Sequence, residues 1–279
     1  MDFDWCGKRV AHKERSKRTG ILRCGLKKKE GRRKRDPQVD SWFLMSSPVP
    51  VLCILGFYLY FVLSLGPRWM ATRKPYELQP LLVAYNAYQV LFSIWLCTLP
   101  FNGGAIYRIF KNNCQIVDTS DGSFALAVSS GAWWYFFSKI IELLDTVFFV
   151  LRKKQNQVTF LHVYHHTITA LFSWGYLKFL PGEQGIVIGF LNSLVHVFMY
   201  FYYMLAAMGP RFQKYLWWKK YMTWIQLIQF CIMLTYLFSL LAMDCKLPKA
   251  LTFFFGANAL IFLFLFADFY RKAYKKKKV

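Results

Sequence analysis

Residues 127–151 read AVSSGAWWYFFSKIIELLDTVFFVL, and this stretch decides the fold class. About 20 apolar residues are enough for a helix to cross a hydrocarbon core about 30 Å thick. Three charged residues, Lys139, Glu142 and Asp145, interrupt the run, and on a helix they fall within about 120° of one face. Because an ionisable group at mid-membrane costs about 2.5 to 3.5 kcal/mol, the stretch predicts a membrane helix whose charged face points inward. A purely structural ion-pair cluster is the alternative interpretation.

Six further apolar windows surround this stretch. Together the seven windows are 42–65, 81–99, 127–151, 160–179, 186–207, 221–242 and 251–269. They are continuous, whereas the strands of membrane barrels alternate over segments of about 10 residues. The sequence therefore predicts an all-α polytopic membrane protein with seven transmembrane helices.

The composition agrees with a lipid environment. Of 279 residues, 56% are hydrophobic and 18% are charged, against about 45 to 50% and about 25% in ordinary soluble domains. The net charge is +22, of which residues 1–36 contribute +9 and residues 271–279 contribute +6. Basic tails flanking an apolar body suit anionic headgroups better than nucleic acid, so we expect no nucleic acid partner.

These shifts in composition predict three regions. Residues 1–38 form a basic extension whose composition predicts disorder, residues 39–270 form the seven-helix membrane domain, and residues 271–279 form a basic tail. The connections after windows one, three and five, with the tail, hold sixteen basic residues. The other connections are counted as holding five, which are Arg108, Lys111, Lys178, Lys246 and Lys249. The positive-inside rule therefore places the C-terminus in the cytosol. The N-terminus is then non-cytosolic despite its charge, because four downstream segments agree with one another.

Two of the seven cysteines are informative. Cys114 and Cys245 fall in the second and sixth connections, which the orientation above places on one non-cytosolic side. An oxidising lumen would allow them to form a disulfide. No CxxC pair suggests a zinc site.

The fourth window begins with the cluster HVYHH, residues 162–166. On a helix His162, His165 and His166 share an arc of about 100°, so three imidazoles project toward one point. A single histidine would be read as a packing residue. Three on one face indicate metal binding or acid, base and nucleophilic chemistry.

Polar residues also recur at helical spacing in the fifth and sixth windows. They are Asn192, His196, Met199, Tyr200 and Tyr203 in the fifth, and Thr223, Gln226 and Gln229 in the sixth. Hydrogen bonding between helices is the alternative interpretation of the sixth-window set. All these sets lie in the middle or cytosolic part of their windows. Windows three to six are therefore predicted to enclose a polar chamber open to the cytosol, suited to an amphiphilic substrate.

The histidine count separates the possible chemistries. An HxxHH cluster first suggests a di-iron desaturase or hydroxylase, but the chain has five histidines and one of them, His12, lies in the basic extension. Four histidines are too few for two irons, and three adjacent ones alone do not define a tetrahedral zinc site. The sequence therefore favours acid, base and nucleophilic work by imidazole, without a metal.

Four motifs, in order, resemble those of the very-long-chain fatty acid elongases. They are KIIELLDT (139–146), HVYHH (162–166), HVFMYFYY (196–203) and TWIQLIQ (223–229). Each is weak alone, and together they are specific. The resemblance extends over residues 39–274 and includes GP at 66–67, RKP at 73–75 and LRKK at 151–154.

This resemblance implies a fold and an activity. The fold would be a bundle of seven helices, six of which enclose a narrow acyl tunnel. The activity would be that of a 3-ketoacyl-CoA synthase in the endoplasmic reticulum membrane, an acyltransferase that condenses acyl-CoA with malonyl-CoA and needs no cofactor. Lysines third and fourth from the C-terminus look like a dilysine retrieval signal. The implied partners are membrane lipid and the ketoreductase, dehydratase and enoyl reductase of the elongation cycle, and a homodimer stays open.

The candidate roles follow from the chemistry of this reaction. We expect His165 to accept the acyl group with His196 opposite it, because neutral imidazole can attack a thioester. His162 and His166 would orient groups or relay protons, and Glu142 or Asp145 would fix an imidazole tautomer. Lys139 would meet the charge of the enolate or balance its acidic neighbours. The expected substrate-binding residues are Asn192, Tyr200, Tyr203, Gln226 and Gln229, with Arg152, Lys153, Lys154, Lys219 and Lys220 near the phosphates of CoA.

Three other protein classes share some of these features. A transporter or proton relay would also bury charges and histidines, and a seven-helix receptor would have the same number of spans. The receptor is disfavoured because its ligand site would face away from the cytosol. A di-iron desaturase would bind iron and consume oxygen.

Overall fold

The computed structural model describes residues 37–102, 122–179, 184–243 and 249–274, and within these ranges all regular structure is helical. Seven long helices are α1 (Val49–Met70), α2 (Gln79–Thr98), α3 (Gly122–Leu151), α4 (Phe160–Phe179), α5 (Gln184–Ala207), α6 (Lys219–Ala242) and α7 (Lys249–Tyr274). Short helical turns cover Pro37–Asp40, Gln155–Gln157 and Pro210–Gln213. The all-α prediction is confirmed for these ranges. The basic extension up to residue 36, the last five residues and the proposed partners Cys114 and Cys245 lie outside them.

Each predicted window coincides with a long helix, but the first helix starts later than predicted. The window began at residue 42, whereas α1 begins at Val49, with Pro50 in its first turn. Proline suits that position because the first turn leaves its amide groups unpaired in any case. The helix passes through a π-helical segment, Phe61–Leu65, before it ends at Met70.

Five of the helices are long and apolar enough to cross a membrane, namely α1, α2, α5, α6 and α7. In the described ranges α3 and α4 fall short of that standard, because three charged residues interrupt α3 and the histidines of α4 lower its mean hydropathy. Large apolar side chains also point outward, among them Phe57, Leu91 and Phe264, which are 62%, 68% and 70% exposed. An apolar surface of this kind suits lipid rather than water.

Six of the helices contact one another in a closed cycle. Helix α2 packs along α5, α5 against α6, α6 against α7, α7 against α4, α4 against α3, and α3 against α2. Helix α1 packs against α3 and α4, and α3 also contacts α5. The polar faces of α3, α4 and α5 therefore belong to neighbouring members of one cycle. A continuous tunnel through the cycle stays a prediction.

Three side chains anchor the segment that precedes α1. The indoles of Trp133 and Trp174 donate to the carbonyl oxygens of Phe43 and Leu44, at 3.0 and 2.9 Å. The ammonium group of Lys178 donates to the Met45 carbonyl and to Asp40 Oδ1, both at 2.5 Å. These bonds satisfy the consecutive carbonyls of residues 43–45, where Leu44 has a φ of 64°.

Lys178 was counted above as a residue of the connection after the fourth window, and this assignment is wrong. It lies inside α4 and is 7% exposed. Its charge is therefore already paired within the protein and gives no information on orientation.

Candidate active site

The charged face of α3 is buried. Lys139, Glu142 and Asp145 are 2%, 2% and 7% exposed. Their spacing of three residues places them on successive turns of one helix face, as the sequence predicts. Burial on this scale requires partners, because an unpaired charge in a protein interior is costly.

Lys139 and Glu142 form an ion pair that extends to α5. The Nζ atom of Lys139 lies 2.7 Å from Glu142 Oε1 and 2.7 Å from Asn192 Oδ1. The same Glu142 oxygen lies 3.2 Å from Nδ1 of His196. The pair is therefore held between two helices, and a carboxylate and an imidazole are brought within hydrogen-bonding distance.

Asn192 and His196 lie one turn apart on α5 and contact each other. Nδ2 of Asn192 is 3.4 Å from Nε2 of His196. Since the asparagine oxygen already accepts from Lys139, its amide nitrogen is the group that faces the imidazole. Both nitrogens of His196 therefore have a polar neighbour.

Asp145 serves a different part of the site. Its Oδ2 accepts a hydrogen bond of 2.8 Å from the hydroxyl of Tyr200 and lies 4.0 Å from Nε2 of His166. The two carboxylates of α3 thus face different imidazoles, Glu142 facing His196 and Asp145 facing His166. This arrangement allows each carboxylate to orient one ring.

The three histidines of α4 lie close together. The ring centroids of His162 and His166 are 4.4 Å apart, and those of His165 and His166 are 5.3 Å apart. His165 packs against Phe262 of α7 at 5.2 Å and lies within electrostatic range of His196. The structure therefore brings the α4 imidazoles and the imidazole of α5 into one site.

Three polar atoms in this cluster are buried without a hydrogen-bond partner in the described part of the chain. They are Glu142 Oε2, His162 Nε2 and His166 Nδ1. Buried polar atoms are normally paired, so unpaired ones mark places where a substrate can supply the partner.

The remaining predicted binding residues of α5 and α6 lie beside this cluster. The ring of Tyr203 meets that of Tyr200 edge to face at 6.0 Å. The amide of Gln226 donates to the Met199 sulfur at 3.8 Å, which links α6 to α5. The amide of Gln229 instead donates to Met233 in its own helix. A thioether is a weak acceptor, so both amides are held loosely.

The basic residues predicted to bind CoA follow the end of α3 and begin α6. Lys153, Lys154, Lys219 and Lys220 are exposed, and Arg152 is partly buried. Lys153 differs from the others because its Nζ donates to the Ala71 carbonyl at 3.1 Å and its φ is 55°. Lys153 therefore also joins the connection after α3 to the connection after α1.

Several residues of the site carry no sequence signal strong enough to single them out. The hydroxyl of Tyr135 donates to Asn192 Oδ1 at 2.9 Å, and the hydroxyls of Tyr58 and Thr146 lie 2.7 Å apart. In α2 the buried Gln89 donates to the Tyr85 hydroxyl at 3.3 Å. The one available signal is spacing, since Tyr135 lies a helical turn before Lys139.

A largely apolar cavity adjoins the polar cluster. It measures about 680 Å³ including its open mouth and is lined by α2, α3, α5 and Tyr176 of α4, with Tyr135 and Ser193 toward the cluster. The site thus combines an apolar compartment with a polar one.

Within the described ranges, no three His, Cys, Asp or Glu side chains are arranged to hold a metal ion. Chemistry without a cofactor stays a prediction. Cys231, the one cysteine near the polar residues of α6, is exposed.

Comparisons with known proteins agree with the motifs. The profile of the ELO family, described as the GNS1/SUR4 family, matches residues 43–279. The chain is 47% identical to very long chain fatty acid elongase 7 of Drosophila melanogaster, over 88% of this chain and 74% of that protein. It is 47% identical to very long chain fatty acid elongase 7 of Rattus norvegicus, over 86% of each chain. It is 44% identical to very long chain fatty acid elongase 4 of Homo sapiens, over 87% of this chain and 77% of that protein.

Proposed function

Because the chain belongs to the GNS1/SUR4 (ELO) family of fatty acid elongases, we propose that it condenses long-chain acyl-CoA with malonyl-CoA. The products would be 3-ketoacyl-CoA, carbon dioxide and CoA, in the first step of fatty acid elongation. The observation that carries the proposal is the buried site in which two carboxylates of α3 face imidazoles of α4 and α5. The protein is a multi-pass membrane protein.

The first half-reaction is transfer of the acyl group to His165. A ring nitrogen attacks the thioester carbonyl carbon, the carbon–sulfur bond breaks, and CoA leaves as a thiolate that takes up a proton. The position of His165 supports this role. It lies among other imidazoles, which can supply or accept the proton. The product of this step is an acyl-imidazole.

The second half-reaction forms the carbon–carbon bond. Malonyl-CoA loses carbon dioxide, and the electron pair of the broken bond forms an enolate of acetyl-CoA. The enolate carbon attacks the acyl-imidazole carbonyl, the carbon–nitrogen bond breaks, and the released ring takes up one proton from solution through the neighbouring imidazoles. His165 thereby returns to its neutral starting state. No oxidant, reductant or metal is needed for this sequence of steps.

The enolate requires fixed donors in a site shielded from water. Lys139 is a buried ammonium group of this site, and it is shared between Glu142 and Asn192. The amide of Gln226 is suited to the same task, because its present acceptor is a thioether that an oxyanion easily replaces. Lys139 and Gln226 are therefore the proposed electrostatic stabilisers.

The two carboxylates would fix imidazole tautomers. Glu142 Oε1 lies 3.2 Å from His196 Nδ1, so it accepts the proton on that nitrogen. Asp145 lies 4.0 Å from His166 Nε2, a distance that a small ring movement closes. His162, with one buried nitrogen unpaired, is the candidate for proton transfer to the departing thiolate.

Substrate binding would use both compartments. The acyl chain would occupy the apolar cavity beside Tyr135, where each buried methylene contributes about 0.8 kcal/mol. The basic residues that follow α3 and those that begin α6 would meet the phosphates of CoA. That arrangement requires these loops to face the cytosol, as in an endoplasmic reticulum protein with a cytosolic C-terminus that works beside the other elongation enzymes.

The test is a microsomal assay with radiolabelled malonyl-CoA and a panel of acyl-CoA substrates. The parent should incorporate label into longer acyl products, and His165→Ala and His165→Gln should not. Phe160→Leu is a matched control, because Phe160 lies on the same helix and is 72% exposed. A parent protein that moves ions or solutes without incorporating label would instead support a transporter. Full condensation by both His165 variants would favour direct displacement with a histidine base.

A further inference from the structure

Tyr135 joins the apolar cavity to the charged cluster. It lies one helical turn before Lys139 on α3, and its ring lines the cavity. The ammonium group of Lys139 lies 4.7 Å from the centre of that ring. The tyrosine hydroxyl donates to Oδ1 of Asn192 at 2.9 Å. A single side chain therefore contacts both compartments.

The hydroxyl of Tyr135 helps to hold the Asn192 amide in place. Oδ1 of Asn192 accepts from Tyr135 at 2.9 Å and from Lys139 at 2.7 Å. The Lys139 ammonium cannot accept a hydrogen bond from an amide NH₂ group, so it keeps the oxygen on its side, and the Tyr135 hydroxyl fixes the position of that oxygen with a second bond. The NH₂ group is thereby directed toward His196, at 3.4 Å from its Nε2.

The amide orientation in turn selects the tautomer of His196. An NH₂ group facing Nε2 requires Nε2 to be an acceptor, so the ring proton lies on Nδ1. Glu142 Oε1, 3.2 Å from Nδ1, accepts that proton, and it lies closer to Nδ1 than the Lys139 ammonium does at 3.5 Å. The opposite tautomer would place two donors against each other at Nε2 and leave Glu142 without the imidazole proton.

We propose that Tyr135 is a positioning residue that acts through Asn192 to hold His196 in its Nδ1–H tautomer. The proposal rests on the condensation activity proposed above. Because the tyrosine hydroxyl touches neither the reacting atoms nor the basic loops, its loss should slow turnover without weakening substrate binding. Tyr135→Phe keeps the ring, the cavity wall and the contact with the Lys139 ammonium, and removes only the hydroxyl.

The control removes a hydroxyl outside the site. Tyr60 lies on α1 and is 55% exposed. Tyr60→Phe removes the same group from a side chain that does not line the cavity described above. It should match the parent in kcat.

The kinetic test uses the purified full-length protein in lipid nanodiscs. Tyr135→Phe should lower kcat about five- to tenfold, since about tenfold in rate corresponds to 1.36 kcal/mol and one hydrogen bond contributes about 1 kcal/mol. The KM values for both substrates should stay within about twofold of the parent. In an Asn192→Ala background, Tyr135→Phe should have almost no further effect, because the two residues act in series.

A second measurement does not depend on turnover. The ¹⁵N chemical shifts of labelled histidine report which ring nitrogen carries the proton, with His196→Gln used to assign the signal. The parent should have the Nδ1–H form, and Tyr135→Phe should have a mixture of both tautomers. An unchanged His196 spectrum in Tyr135→Phe, or a kcat equal to that of the parent, would overturn the role of Tyr135. A parent that does not condense its substrates would overturn the proposed function, while the spectrum still tests the tautomer.

Discussion

The hydroxyl of Tyr200 on α5 donates a hydrogen bond of 2.8 Å to Oδ2 of Asp145 on α3, and both side chains are buried. The two residues are 55 positions apart in the chain. Their bond joins the two helices on the side of the site that faces His166. Asp145 therefore holds its orientation through a residue of another helix, and the site depends on the packing of α3 against α5.

Loss of this bond should affect stability and activity together. In Tyr200→Phe the buried carboxylate loses a donor, which costs about 1 to 3 kcal/mol. We expect a lower melting temperature of the nanodisc-embedded protein and a reduced kcat. Tyr221→Phe, at an exposed position, is the control and should change neither. A Tyr200→Phe protein as stable as the parent would mean that this hydrogen bond contributes little.

The effect on stability of removing the Lys139 charge should depend on whether the Glu142 charge is present, and the reverse. Glu142→Gln leaves a buried ammonium without its counter-ion and should destabilise the protein by about 3 to 5 kcal/mol. Adding Lys139→Met to Glu142→Gln should recover much of that loss without restoring condensation. Thermal unfolding of the two single variants and the double variant measures the coupling. Strictly additive losses would contradict a mutually dependent pair.

Lys178 should matter for folding rather than for catalysis. Its ammonium group donates to Asp40 and to the Met45 carbonyl, so Lys178→Met leaves a buried carbonyl unpaired. We expect the free energy of unfolding to fall by about 1 to 3 kcal/mol. Asp40→Asn should cost less, because the Asp40 side chain is 36% exposed and asparagine still offers an oxygen. Unfolding midpoints would test the order, and a larger loss in Asp40→Asn would contradict it.

Lys153 combines a backbone role with a charge. Its φ of 55° is a conformation that glycine adopts freely. In other residues this conformation is destabilised by about 1 to 2 kcal/mol. Lys153→Ala should therefore be less stable than Lys153→Gly by about 1 kcal/mol. If the charge also binds CoA, both variants should raise the KM for malonyl-CoA equally. Lys154→Ala, which removes a neighbouring exposed charge, separates the two effects, since it should alter KM without altering stability.

The sequence alone determined the helical architecture and predicted most residues of the candidate site. Helical periodicity places Lys139, Glu142 and Asp145 on one face, and the same rule groups the histidines of α4. Local spacing is sufficient for such statements because it depends on one helix at a time. The first helix was predicted seven residues too early, because an apolar segment that precedes a proline does not reveal by composition where the helix begins.

The tertiary structure decided which of these groups meet. Glu142 pairs with Lys139 and His196, whereas Asp145 accepts from Tyr200 and lies near His166, although both carboxylates carry the same sequence signal. Tyr135 enters the site through a partner 57 residues away, and Lys178 is buried by a partner 138 residues away. The physical reason is that a side-chain contact between helices depends on how those helices pack and on the rotamers that the packing allows, which no periodicity within one segment specifies.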